Sequence, residues 1–128
     1  MAGIVLKIMI MDTHPPVWRR VVVPEKMCFT DLHRVIQEIF GWEDMHLHIF
    51  ESPGSSFEIV QNKKDAAKSM FMLEKKTPVG PVLEHEKWMR YTYDFGDDWQ
   101  HKVIFEKKMP EYIADYATVL KVKGDNFV

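Results

Sequence analysis

The sequence predicts an α+β domain, with one amphipathic helix packed on a mixed β-sheet that begins and ends in hairpins. Three observations carry this expectation. Apolar stretches with period-2 alternation recur along the chain. A single segment, Thr30 to Phe40, combines helical spacing with helix-end signals. Near the C-terminal third, two alternating arms flank Gly96-Asp97-Asp98, a turn sequence. At 128 residues and 46% hydrophobic content, the chain is long enough for one buried core, so residues 1–128 are read as a single domain.

Ile4 to Met11 reads as the first strand, with Ile4, Leu6, Ile8 and Ile10 on its core face. Pro15 and Pro16 end it, because proline fixes φ and donates nothing to a ladder. Val17 to Val23 is the return strand. Its adjacent Arg19 and Arg20 must point to opposite faces, so at least one covers aromatic surface or meets a carboxylate. The helix follows, with Thr30 as N-cap, Asp31 in the first turn and Gly41 as its stop. Leu32, Val35, Ile36, Ile39 and Phe40 form the buried stripe, leaving Asp31, His33, Arg34, Gln37 and Glu38 outside. Burying those five large side chains is worth roughly 8 to 15 kcal/mol before entropy is subtracted. A third strand runs from Met45 to Glu51, with Met45, Leu47 and Ile49 opposite His46, His48 and Phe50. Phe57 to Val60 is a short return strand. From Gln61 to Lys87 the pattern is weak, with Met70 to Leu73 a short strand and Val82 to Trp88 a helical turn or strand. Glu111 to Tyr116 is a helix or loop, and Ala117 to Val122 a last strand. The order strand, strand, helix, strand is β-grasp-like.

The C-terminal hairpin can be given a register. A three-residue loop at Gly96-Asp97-Asp98 sets Phe95 against Trp99, Tyr93 against His101 and Tyr91 against Val103, with the aromatic side chains on one face. A two-residue loop would mix rings with charges on both faces, and a one-residue slip would invert every side chain. Asp98 then takes the left-handed position.

Composition narrows the function classes. A net charge of -2 gives no overall electrostatic footprint for nucleic acid. The Lys63, Lys64, Lys68, Lys75, Lys76 cluster reads as a solvated face. The single Cys28 rules out an internal disulfide and cysteine-rich zinc patterns, and is read as a small buried residue. No apolar run is long enough to span a bilayer, and the first residues lack a signal-peptide pattern. A cytoplasmic protein without a membrane partner is expected. Asp94-Phe95-Gly96 matches a kinase triplet, but the glycine-rich loop, strand lysine and catalytic loop that give it meaning are missing. Trp18, Trp42, Trp88, Trp99, Tyr91 and Tyr93 offer rings for base stacking, yet without a basic frame they read as core and rim residues.

Five motifs in order resemble a known family: Pro15-Pro16-Val17-Trp18-Arg19-Arg20, Leu32-His33-Arg34-Val35-Ile36-Gln37, Gly41-Trp42, His46-Leu47-His48-Ile49-Phe50, and Tyr93-Asp94-Phe95-Gly96-Asp97-Asp98-Trp99-Gln100-His101. Together, over roughly residues 3 to 107, they are similar to the plasmid pRiA4b ORF-3-like family. The resemblance implies a single α+β domain associated with plasmids and mobile elements, with no assigned biochemical function. Gln100 stands where the family often has Glu. The family's usual tail, with Cys, Pro-Pro and an acidic Gly-Gly sequence, is not found after Lys123 to Val128, so a truncated tail is expected.

Two functional expectations follow. The favoured one is a non-catalytic binding or interaction module without a cofactor, engaging an unknown protein or nucleic-acid partner. Its surface would comprise Trp18, Arg19, Arg20, His46, His48, Asp97, Asp98 and His101. The competing one is a metal-dependent hydrolase or nuclease. There His46, His48, Asp97, Asp98 and His101 would hold zinc or manganese and activate a water.

Overall fold

The alternating stretches pair into one sheet in the computed structural model, which describes residues 2–125. The elements are β1 (Gly3–Ile10), β2 (Val17–Pro24), α1 (Phe29–Phe40), β3 (His48–Glu51), β4 (Glu58–Val60), β5 (Phe71–Leu73), α2 (Val79–Glu86), β6 (Trp88–Tyr93), β7 (Trp99–Met109) and β8 (Thr118–Lys123). The strand order is β5-β4-β3-β6-β7-β1-β2-β8. Among these strands only β4 and β5 pair in parallel, which makes the sheet mixed. The order strand, strand, helix, strand holds along the chain, and β1 and β7 are antiparallel neighbours near the middle of the sheet.

Period-2 alternation decides which face is covered. Ile4, Leu6, Ile8 and Ile10 of β1, Val21 and Val23 of β2, and Tyr91 and Val103 of the last hairpin all point to one side. There they meet Phe29, Leu32, Ile36 and Phe40 of α1 and Val79 and Leu83 of α2. Most of the other face is open, and Lys7, Met9, Trp18, Arg20 and Lys102 lie on it half-buried. One corner of that face is closed at Gly3. A Cβ there would lie 2.7 Å from Cδ2 of Tyr112, so the segment after β7 packs directly on the strand backbone.

Several local expectations need correction. Thr30 is not the N-cap: α1 starts at Phe29 behind Cys28, which makes no side-chain cap. The Phe29 N–H instead donates to Thr77 O at 3.1 Å, because the start of α1 is tied to the segment before α2. Cys28 is half-buried. The third strand begins at His48, since Met45 and Leu47 are exposed in the loop before it. Val82 and its neighbours belong to α2, and β6 takes over at Trp88. Lys68 is not part of a free charged face: its Nζ lies 3.0 Å from Glu51 Oε2 and 3.6 Å from Glu58 Oε2.

The C-terminal hairpin pairs Tyr93 with Trp99, Tyr91 with His101 and Met89 with Val103, two residues from the expected register. A shift of two leaves every side chain on its predicted face, so the rings still point inward. The loop is longer, running from Asp94 to Asp98, and Phe95 is 51% exposed. Asp94 causes this. It takes φ 61°, and its Oδ1 accepts the Gly96 N–H at 3.2 Å and the Asp97 N–H at 3.4 Å. Asp98 has φ 57°, the left-handed position expected of it.

Candidate functional site

Two loops meet at one end of the sheet, one after α1 (residues 41–47) and one inside the last hairpin (residues 94–98). Gly41 adopts φ 73°, which turns the chain out of α1 and allows the Trp42 N–H to bond back to Gln37 O at 2.8 Å. The loop is then pinned to β6: Tyr93 Oη accepts the Met45 N–H at 2.8 Å, and the Asp94 N–H donates to Leu47 O at 2.9 Å. Between the loops lies a cleft of about 380 Å³ lined by Trp42, Tyr93 and Trp99 with Glu43, Asp94 and Asp97. The Trp42 ring lies 5.6 Å from that of Tyr93 and 5.3 Å from that of Trp99. His46 closes one side, its ring 5.7 Å from Tyr93 and its Nε2 3.7 Å from Asp94 Oδ2. Aromatic walls with a carboxylate rim favour a cation, through the ring quadrupoles and through charge.

Behind the 41–47 loop the core is polar. The Asp44 N–H donates to Gln37 Oε1 at 2.7 Å, and a backbone N–H can only donate, which fixes the amide orientation. Gln37 Nε2 therefore faces Tyr91 Oη at 2.9 Å as donor. The Tyr91 hydroxyl gives its own proton to His33 Nδ1 at 2.7 Å. His33 Nε2–H is left to donate to Asp44 Oδ1 at 2.7 Å, so the ring of bonds closes on the residue where it began. Burial keeps the Tyr91 phenol protonated by raising its pKa, and it lowers that of His33, with the neighbouring His48 adding to the effect. Both keep the ring in this proton arrangement. Tyr91→Phe removes the central hydroxyl and leaves two buried polar groups unpaired. A loss of about 2–4 kcal/mol in urea unfolding at neutral pH is expected. A change below about 0.5 kcal/mol would contradict the ring.

His48 stacks on His33 with ring centroids 3.5 Å apart and planes 7° from parallel. Its Nε2–H donates to Glu74 Oε2 at 2.6 Å, and both side chains are almost wholly buried. His101 sits deeper, donating from Nδ1 to Tyr91 O at 3.2 Å, while Nε2 has no partner among the described residues. Burial lowers its pKa to about 4, partly opposed by the carbonyls of Tyr91 and Trp99. The folded state therefore binds fewer protons than the unfolded one between about pH 4 and 6.5. The resulting stabilisation is complete above the unfolded value and disappears as pH falls toward 4, a difference of roughly 3 kcal/mol. His101→Leu is expected to flatten this part of the stability–pH curve; an unchanged slope would contradict a buried neutral His101.

The residues expected to share one surface are divided among four places. His46 and Asp97 line the cleft, and Asp98 lies beside it in the exposed turn. His48 and His101 are buried. Trp18 and Arg20 lie on the open sheet face, on the opposite side from Arg19. Arg19 is buried over the Phe40 ring at 5.0 Å and donates to Ile39 O and Lys123 O. Among the described residues, the His, Asp, Glu or Cys group with ligand atoms within 4.8 Å of one another is His33, Asp44 and His48, not the expected metal set. Helix periodicity places His33 and Gln37 outside, but each is only 4% exposed. They are one helical turn apart and flank the buried Phe29, Leu32, Ile36 and Phe40, a spacing that marks a polar seam beside the stripe. Glu74 carries no comparable signal, because its weakly patterned segment gives it no predicted place.

The comparisons with known proteins agree with this architecture. The family model described as plasmid pRiA4b ORF-3-like protein matches residues 2–127. The chain is similar to the uncharacterized protein y4hQ of Sinorhizobium fredii, with 29% identity over 93% of the chain and 61% of that protein. It therefore spans less than two thirds of that relative. It is also similar to a crystallised protein of unknown function, MM3350 of Methanosarcina mazei Go1, at 35% identity and a TM-score of 0.85, covering 98% of this chain and 72% of that one. Among the described residues, no helix is long and apolar enough to cross a membrane. The chain belongs to the plasmid pRiA4b ORF-3-like protein family.

Proposed function

We propose that the chain is a non-catalytic binding module whose cleft takes a positively charged group of a partner, a primary amine or guanidinium as presented by a basic peptide. The observation that carries this reading is the bracketing of Trp42 by Tyr93 and Trp99 under a rim of Glu43, Asp94 and Asp97. At about 380 Å³ the space is at the small end for ligand sites, which suits one side chain better than a drug-sized molecule. We place the module in the cytoplasm, in keeping with its lone, unpaired cysteine. The test is a ¹H–¹⁵N indole titration with a lysine- and arginine-containing peptide and a glutamate-containing control. Trp42 and Trp99 should shift with the basic peptide alone, and Trp18 and Trp88 should not. No shift, or equal shifts at all four, would overturn the reading.

A zinc or manganese centre is the second reading, and the closeness of His33, Asp44 and His48 is what favours it. Two features weigh against it. Both Nε2 atoms carry the proton they donate, so binding must release protons. The imidazole lone pairs also lie in nearly parallel planes, so they do not converge on a point. A rise in melting temperature with added zinc or manganese would support this reading.

A further inference from the structure

We infer that the open face of the sheet is a binding surface for single-stranded nucleic acid, independent of the cleft. Charge points to it first. Although the whole chain is slightly acidic, the only carboxylate in β1, β2, β6, β7 and β8 is Glu106. Strand register gathers Lys7, Arg20, Arg90, Lys102, Lys121 and Lys123 on one face, the one opposite Arg19. Arg90, Lys102, Met9, Trp18 and Lys123 form one row across the sheet, and Trp88, Ile104, Lys7, Arg20 and Lys121 form the next. Glu106 is engaged by Arg20 through both carboxylate oxygens, at 2.6 and 3.0 Å. That pairing raises the Arg20 pKa and lowers that of Glu106.

The two tryptophans of this face carry cations over their rings. Lys7 Nζ lies 4.6 Å from the Trp18 centroid, with Arg20 at 4.9 Å and Lys121 at 5.9 Å. Lys102 Nζ lies 4.5 Å above Trp88, with Arg90 at 6.0 Å. In the free protein these side chains screen apolar rings from water. A nucleotide exchanges both halves of that arrangement. Its base takes the ring face, where stacking is worth more than the exposed cation–π interaction it replaces, and the released ammonium moves to a phosphate. Double-stranded DNA hides its base faces, so the rings favour a single strand. An acidic peptide would satisfy the cations but leave the rings without a stacking partner. The basic frame missing from the linear sequence is thus assembled by strand pairing.

The test is anisotropy of labelled single-stranded DNA and RNA oligonucleotides of about 15 nucleotides, with indole resonances followed in parallel. Binding should weaken on the order of tenfold or more between roughly 50 and 200 mM salt. Trp18 and Trp88 should shift while Trp42 and Trp99 remain in place. Lys102→Glu with Lys121→Glu should lower affinity and flatten the salt slope by about 0.7 for each phosphate no longer neutralised. Trp18→Leu should lower affinity roughly 5- to 100-fold at an unchanged slope; Trp88→Leu gives the same reading if Trp18→Leu does not fold. No binding at low salt, binding that shifts only the cleft indoles, or equal affinity for duplex DNA or a polyglutamate peptide would overturn the proposal.

Discussion

Glu74→Ala is expected to cost about 2–4 kcal/mol, the loss of a hydrogen bond to a carboxylate together with the buried donor it leaves unpaired. Glu74 is 1% exposed, and its carboxylate accepts from His48 Nε2 at 2.6 Å. Truncation leaves that donor buried, and His48 is held against His33 at 3.5 Å, so it cannot turn away without breaking the stack. The damage should therefore spread to the bonds that hold the 41–47 loop. Glu74→Gln keeps an acceptor at nearly the same position and should recover most of the loss. Urea unfolding at neutral pH reads both variants. A loss below about 1 kcal/mol for Glu74→Ala would mean that the pair contributes little.

The joint variant Glu43→Gln and Asp97→Asn is expected to lower affinity for a basic peptide about tenfold or more, with stability changed by less than about 0.5 kcal/mol. Both residues are exposed on the cleft rim. Asp94 is left alone because its Oδ1 also holds the Gly96 and Asp97 N–H groups, and its loss would reshape the loop. The residual affinity should be less salt-sensitive, because the ring interactions remain after the charge is gone. Peptide titration at low and moderate salt checks this. Unchanged affinity would place the ligand elsewhere.

The sheet and its helix are legible in the sequence because burial writes itself into periodicity. Ile4, Leu6, Ile8 and Ile10 alternate without interruption, and all are buried as a period of two requires. The same period is blind to a shift of two residues, so the hairpin faces are readable while the Tyr93–Trp99 pairing is not. That pairing rests on Asp94 adopting a left-handed conformation, which Asp tolerates but does not announce. The candidate site is readable only in part. His46, Asp97 and the aromatic residues are visible as types. The burial of His33 and Gln37 depends on a closed ring of partners from α1, the following loop and β6, and no local pattern encodes that. The cationic face escapes for a similar reason: its members come from strands far apart in the chain.

The most direct measurement is a crystal structure of the protein with a short arginine- and lysine-containing peptide. Electron density is expected for one ammonium or guanidinium in the cleft, against the exposed surface of Trp42, Tyr93 or Trp99, within about 6 Å of a ring centroid and facing Glu43 or Asp97. Peptide density seated elsewhere, with this cleft holding only solvent, would contradict a cation-binding cleft.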